Sequence, residues 1–521
     1  MCNVYKKIVL GTFLSIFLIG CEGGQDIPSS SSPTDSANYT NESNTNIANN
    51  QDANAGNSTK DSNGSQKNHT LPKPNNPKKS LTNTIPIDPI EQNRTYPGKY
   101  PGMHTNTTAF AAFKEDGSVV VWGNHAIDGG AGGSSRVAKE KDIKAIYSNS
   151  EAFAALKKDG SVITWGSERN GGNSESVADK LKSGVLAIYS TSKAFAALKK
   201  DGSVVTWGSS DSGGSSQEVA DKLTSGVVMI TSNYDAFAAL KKDGSVVTWG
   251  NLGHGGDSTD VSKKLQSGVV AIYSNFGTFA ALKEDGSVVT WGYQGNGLLK
   301  KELKGIKSIY ATLDAYAALK EDGSVVTWGE STAGGDSSDV TNSLQSGVKM
   351  VYANHSAFAA LKADGSVITW GSDNGGDSSE VSHLLRSNVK TIYSTPFAFA
   401  ALKEDGSVVT WGAQEFGGDS SSVKEKLQKN IISLAATYKA FAALKKDGTV
   451  VTWGSKGFGG DSSEVIEKLT NIKAIYSNNT AFAALRRDGS VVTWGDRESG
   501  GDSSSVAQKL KSGVIGFAKS Y

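Results

Sequence analysis

Ala239-Leu240-Lys241-Lys242-Asp243-Gly244-Ser245-Val246-Val247-Thr248-Trp249-Gly250 is the stretch that decides the fold. Two short apolar runs flank Asp-Gly, and the second ends in Trp-Gly. Such a pair reads as a β-hairpin. A two-residue type I′ turn is expected, because Asp and Gly both tolerate positive φ. The stretch recurs from Ala109 onward as A-F-A-A-L-K-x-D-G-S-V-V-T-W-G, with turn aspartates at Asp116, Asp159, Asp201, Asp243, Asp285, Asp322, Asp364, Asp405, Asp447 and Asp488. Successive spacings are 43, 42, 42, 42, 37, 42, 41, 42 and 41 residues. A period near 40 means a solenoid, a propeller or an array, in which neighbours cover each other's apolar faces.

One unit, Ile188 to Leu223, shows the local logic. Ile188-Tyr189-Ser190, Ala194 to Lys199 and Ser203 to Trp207 read as three strands. In the second strand Phe195 and Ala197 point to one face, Ala196 and Leu198 to the other. A sheet apolar on both faces must be covered on both sides. All ten tryptophans (Trp122, Trp165, Trp207, Trp249, Trp291, Trp328, Trp370, Trp411, Trp453 and Trp494) follow their turn aspartate by six residues. One in every unit, at a strand position, they read as core between sheets rather than as a stacking surface for sugars or bases.

After Trp-Gly comes a loop, then a short helix. Asp377-Ser378-Ser379-Glu380 and Asp461-Ser462-Ser463-Glu464 resemble capping boxes. Val219/Leu223, Val381/Leu385 and Val465/Leu469 recur four apart and mark one apolar stripe per helix. Asp257, Asp336, Asp377, Asp419, Asp461 and Asp502 in these loops offer oxygens to a hard cation, and the following helix start suits an anion. Helix capping explains the same residues without a ligand.

The core Ala239 to Gly250 resembles the regulator of chromosome condensation repeat family, and the resemblance extends over nearly all of residues 103–521. It implies a β-propeller. The units here are shorter than the family's, its Gly-x-x-His is replaced by motifs such as Ser190-Thr191-Ser192-Lys193, and there are ten copies where the founding member has seven. The expected architecture is all-β with short helices between blades, as one propeller-like ring of ten. Two five-blade rings or an open array are the alternatives. The short spacing after the fifth copy, where Tyr293 to Leu303 departs from the pattern, offers a seam. The first copy lacks a convincing first strand beyond Met103-His104-Thr105, and the surplus segment Gly513 to Ala518 is placed to complete it.

Ahead of the repeats lies a different kind of chain. Lys6 and Lys7 precede an apolar stretch, Ile8 to Ile19, which is of signal-peptide length and too short to span a bilayer. It ends in Leu18-Ile19-Gly20-Cys21, similar to the bacterial lipobox. That resemblance implies a signal peptide over residues 1–20 and a diacylglycerol on Cys21, whose acyl chains anchor the protein to a membrane. Glu22 rather than Asp after the cysteine favours the outer membrane of a Gram-negative envelope. Residues 21–98 are rich in Ser, Asn, Thr, Gly, Asp and Pro and are expected to form a disordered tether. A flexible coil of that length spans roughly 45–50 Å. Its lysines (Lys60, Lys67, Lys73, Lys78 and Lys79) read as solvating groups rather than a contact patch.

Net charge is +1, which gives no electrostatic reason to expect nucleic acid. Cys2 and Cys21 are the only cysteines, and the six histidines show no metal-ligand spacing. No Ser/His/Asp, Gly-x-Ser-x-Gly or P-loop signature is present. No cofactor, metal or catalytic residue is therefore expected. The leading reading is a membrane-anchored, non-enzymatic binding module that recognises a protein or glycan. Its specificity would lie in the loops Asn124 to Ile127, Glu168 to Asn170, Ser209 to Ser212, Tyr293 to Leu299 and Ala413 to Phe416. A nucleotide-exchange factor acting on a GTPase, an envelope scaffold, and an enzyme with residues gathered across blades are the alternatives. Replacing Cys21 by Ser should move the protein from the membrane pellet to the soluble fraction; in detergent phase partition, retention in the pellet would refute lipid anchoring.

Overall fold

The computed structural model describes residues 108–124, 137, 140–293, 299 and 302–518. Cys21, the signal peptide, the tether and Met103 to Thr105 lie outside them, as do most of the loops after Trp122 and Trp291. The described chain forms ten three-stranded antiparallel sheets. In each, the hairpin pairs a middle strand with a third strand, as in Ala194–Lys199 with Val204–Gly208. A first strand, Val185–Ser190 in that sheet, pairs with the other edge of the middle one. The tenth unit's surplus strand, Val514–Phe517, supplies the missing edge of the first sheet, with Ala112 opposite Phe517.

The hairpin turn differs from the expected type I′. Gly202 has φ +78°, whereas Asp201 is not in the left-handed region. Gly202 N–H donates to Lys199 O at 2.9 Å and Lys199 N–H to Ser203 O at 2.9 Å. This is a three-residue loop, a type I turn followed by a left-handed glycine. Asp201 Oδ1 accepts from the Ser203 amide at 2.9 Å and from its hydroxyl at 2.6 Å. That Asx bond suits an aspartate in the right-handed turn position and removes the need for positive φ there.

The expected helices are 3₁₀ segments, such as Ser379–Leu384 and Ser463–Lys468. Neither Ser378 nor Ser462 caps through its side chain, so no capping box forms. The preceding aspartate instead accepts from the amide two residues on: Ser379 N–H to Asp377 at 2.8 Å, Ser463 N–H to Asp461 at 2.9 Å. The serine turns back to its own sheet, as in the contact between Ser258 Oγ and Thr248 Oγ1 at 2.9 Å. The apolar stripe does reach the core, through Leu181 beside Val177 and Leu223 beside Val219.

Alternate residues of one middle strand enter two different cores. Phe195 and Ala197 pack with Tyr147, Ala152, Ala154 and Leu156 of the preceding sheet. Ala194, Ala196 and Leu198 pack against Phe237 and Trp249 of the following one. The small face of each sheet thus receives the large face of the next. Within the large face Phe and Trp stack across the hairpin, for example Phe195 and Trp207 at 5.3 Å and 22°. The same arrangement repeats through all the sheets, with Tyr316 in place of the phenylalanine in the sixth. The tenth core joins Phe110, Ala112, Val120 and Trp122 of the first sheet to Ala481, Ala483 and Leu485 of the last.

Eight of the ten Trp also bond across the joint. Trp249 Nε1 donates to Gly213 O at 3.1 Å, and Trp122 Nε1 donates to Gly500 O at 3.0 Å. For Trp165 and Trp328 the corresponding loop is not among the fully described residues. Gly213 has φ +90°, and a Cβ there would come within 2.6 Å of Phe237 Cδ2, so the site admits only glycine. Phe358 is fully buried, and Phe358→Ala should cost about 3–5 kcal/mol in urea unfolding. Removing residues 514–521 should cost more than about 3 kcal/mol, because Val514 and Phe517 leave the core that holds Trp122. An unchanged unfolding midpoint for the truncation would show that the last strand does not bind the first sheet in solution.

Candidate functional site

The first strand of each sheet lies nearest its counterparts in the neighbouring sheets and is therefore innermost. At its end the chain makes a tight link to the middle strand, beside the loop that follows Trp-Gly. A buried Asn or Thr holds that loop in place. Thr191 Oγ1 donates to Ser212 O at 2.7 Å, Thr395 Oγ1 to Phe416 O at 2.9 Å, and Asn478 Nδ2 to Ser499 O at 2.7 Å. The next carbonyl, Gly213 O in the first of these loops, belongs to the tryptophan of the following sheet. Two adjacent carbonyls are thus clamped by two sheets, and the loop is a rigid 3₁₀ turn such as Ser210–Ser212 or Gln414–Phe416.

The links are joined by a belt of backbone hydrogen bonds. Ser150 N–H donates to Ser192 O at 3.2 Å, Ser192 N–H to Tyr234 O at 2.8 Å, Leu313 N–H to His355 O at 3.0 Å, and His355 N–H to Pro396 O at 3.0 Å. Pro396 has no N–H to pass on. At that break aromatic rings bridge the gap. His355 meets Phe397 at 5.2 Å and Tyr438 at 5.9 Å, and Phe416 meets Phe397 at 4.8 Å. Lys439 Nζ sits 4.5 Å from the Phe416 ring centroid and 3.1 Å from Glu415. Phe397, Tyr438 and Phe458 stay half-exposed on this face. A second aromatic group lies on the fourth and fifth sheets, where Tyr234 stacks on Phe276 at 4.7 Å and His254 abuts Phe276 at 5.5 Å.

The charges on this face are strongly conditioned by burial. His355 is held neutral, its pKa lowered to about 3 by burial alone. Burial opposes the charge of Asp235, but bonds from His254, Ser212 and Ser192 outweigh it and hold the carboxyl below its ordinary value. Ser212 Oγ is 2.7 Å away, Ser192 Oγ 2.8 Å, and His254 Nδ1 3.4 Å from the other carboxylate oxygen. Asp314 behaves oppositely. Burial, assisted by the Glu330 carboxylate, lifts it to about 6.

The residues singled out from sequence are distributed differently. The ten tryptophans are buried, between 2% and 8% exposed, and offer no stacking surface. The loop aspartates lie one per unit, each using Oδ1 on the amide two residues ahead, as Asp257 does for Thr259, Asp336 for Ser338, Asp419 for Ser421 and Asp502 for Ser504. Asp461 and Asp502 both line one groove of about 840 Å³ over the third strand of the tenth sheet, between the segments that precede and follow that sheet, beside Lys456, Arg486 and Arg497. Among the described residues no three His, Cys, Asp or Glu side chains converge as metal ligands. None of their helices is long and apolar enough to cross a membrane.

The aromatic arc was not among the predicted site residues. Its signal was a break in the repeat: where other copies carry Ser150, Ser192 or Asn479, this column holds Tyr234, Phe276, His355 and Tyr438. The raised Asp314 generates a pH prediction. The folded state keeps its proton to about pH 6, while the unfolded chain releases it near the ordinary 3.8. Stability should therefore fall as pH rises across that window. Asp314→Asn should flatten the slope and stabilise the protein above pH 6 by up to about 3 kcal/mol. Urea unfolding from pH 4 to pH 7 checks this, and an unchanged slope in the variant would refute it.

No family model matches the chain, and no curated protein matches it. Solved structures similar to parts of it include Prp20p from Saccharomyces cerevisiae, at 15% identity over 69% of this chain and 83% of that one, with a TM-score of 0.30. Human WBSCR16 is 14% identical over 79% of this chain and 94% of its own, with a TM-score of 0.28. The CRINKLY WD40 ectodomain of the Arabidopsis thaliana receptor kinase ACR4 is 16% identical over 50% and 93%, also with a TM-score of 0.28. At these values the fold assignment rests on the sheets and cores of this chain itself.

Proposed function

We propose that the protein is a lipid-anchored, non-enzymatic binding module whose ten sheets form one ring. The loop face of that ring recognises a protein or a glycan. The tenth core, built from the first and last sheets, supports a single ring over two rings or an open array. The observation that carries the binding reading is the half-exposed arc of Phe397, Tyr438 and Phe458 around Lys439. It lies on a face whose loops are fixed by paired carbonyl clamps. Aromatic and cationic side chains on a rigid frame lose little entropy on engaging a partner. Cys21 and the tether behind it would hold that face at the cell envelope, on the outer membrane.

The rim groove between Asp461 and Asp502 supplies a second place for a ligand. The two are separated by substitution. Soluble full chain carrying Cys21→Ser is titrated against purified peptidoglycan, a panel of envelope polysaccharides and surface-labelled intact cells. Tyr438→Ser with Phe458→Ser should weaken the binding found by ten-fold or more, while Asp461→Asn with Asp502→Asn leaves it unchanged. The reverse pattern would move the site to the rim. Protease cleavage of the tether on intact cells would place the ring outside. Protection until lysis would sink recognition of an external partner and leave an envelope scaffold.

A further inference from the structure

On the side of the hairpin turns every sheet repeats one irregularity. The first strand carries an extra residue opposite the end of the middle strand, so that the register passes from Ile143↔Lys157 to Ala145↔Leu156 and leaves Lys144 unpaired. The same bulge presents Lys307, Lys349, Lys390 and Lys473. In the remaining sheets it presents Leu186, Val228, Val270, Ile432 and Ile515. Val228, Val270, Ile432 and Ile515 are 44%, 47%, 50% and 47% exposed. They are half of the large apolar side chains that stand exposed among the described residues, and Val228 and Val270 stand on neighbouring sheets. The two kinds are also sorted. Leu186, Val228 and Val270 follow one another on the third to fifth sheets, and Lys307, Lys349 and Lys390 on the sixth to eighth. Among the described residues none of the five lysines is ion-paired. The innermost strands therefore end in a collar that is aliphatic over the third to fifth sheets and basic over the sixth to eighth, while Ile432, Lys473, Ile515 and Lys144 alternate on the other four.

The chain itself contains a matching segment. Within the polar tether, Ile85-Pro86-Ile87-Asp88-Pro89-Ile90-Glu91 concentrates three isoleucines and two carboxylates. Pro86 and Pro89 restrict its unfolded states, which lowers the entropy lost on docking. Sixteen residues lie between Glu91 and Thr108, a reach of up to about 56 Å. An inner strand of six residues spans about 20 Å. The middle strand of the first sheet starts at the loop face, with Ala109 opposite Gly123, whereas the collar lies at the hairpin face. The intervening chain is long enough to run the depth of the ring.

We infer that residues 85–91 pass along the inner strands and dock in the collar, isoleucines against Leu186, Val228 and Val270, with Asp88 and Glu91 at the lysines of the sixth to eighth sheets. The inference rests on the single-ring reading above. It decides presentation. A tether leaving from the loop face would turn that face toward the membrane; one leaving through the collar turns the loop face outward.

Disulfide trapping in the full chain tests it, with Cys2→Ser and Cys21→Ser removing the native thiols. Gln92→Cys paired with Lys349→Cys should cross-link at least ten-fold faster than Gln92→Cys paired with the rim position Lys511→Cys, as mapped by peptide mass spectrometry. Equal rates would overturn the docking. Adding Glu91→Lys should reduce the advantage several-fold, and an unchanged advantage would overturn the charge-matched pose. Failure of the ring itself is read separately, from the 514–521 truncation: a truncation without effect removes the ring, whereas a destabilised truncation with equal cross-linking rates removes only the docking.

Discussion

The packing of a phenylalanine–tryptophan stack into a row of alanines is what the remaining structure depends on. A middle strand such as Ala194–Lys199 must bury both faces, yet its two faces are not alike. One is built from Ala194, Ala196 and Leu198 and allows close approach. The other carries Phe195, stacked on Trp207, and fills the space so made. Because each sheet has one face of each kind, any sheet can follow any other, and the polar indole edge has only one place to go. It reaches back to a glycine carbonyl of the preceding unit, where a side chain would strike the phenylalanine. A buried indole N–H left unbonded would cost on the order of 1–3 kcal/mol, so the loop is held to the joint by the same residue that fills it.

Much of this was legible in the chain. The assignment of Phe195 and Ala197 to one face and Ala196 and Leu198 to the other followed from strand periodicity. The three strands per unit followed from the apolar runs around Asp-Gly. The local turn chemistry was less legible. Asp201 was read as a residue of positive φ, but its carboxylate instead serves Ser203, and the glycine alone bends the chain. Asp377 and Asp461 were read as helix caps, but the segments they precede are 3₁₀, and the aspartate closes a turn one residue earlier. Composition marks both residue types as turn formers without distinguishing which amide they take.

The binding face was the least legible part. Its belt is made of backbone amides and carbonyls, which leave no trace in side-chain identity. The aromatic arc occupies a link where no regular periodicity applies, so Tyr438 and Phe397 looked like ordinary variation. Their position becomes meaningful only beside Pro396, whose missing N–H breaks the belt.

The 3₁₀ segments have a geometric consequence. Each lies against the third strand of the next sheet while its serine holds the third strand of its own, as Ser216 holds Thr206. It is a spacer at the perimeter. Inner strands meet directly, and outer strands are joined by a spacer as well, which adds thickness on the outer side of the joint. In the single ring proposed above, curvature and the number of units in the circuit would thus be set by the spacers rather than by the repeated strands. A chain that gained or lost whole units would keep every joint intact and would have to change its spacers to close again.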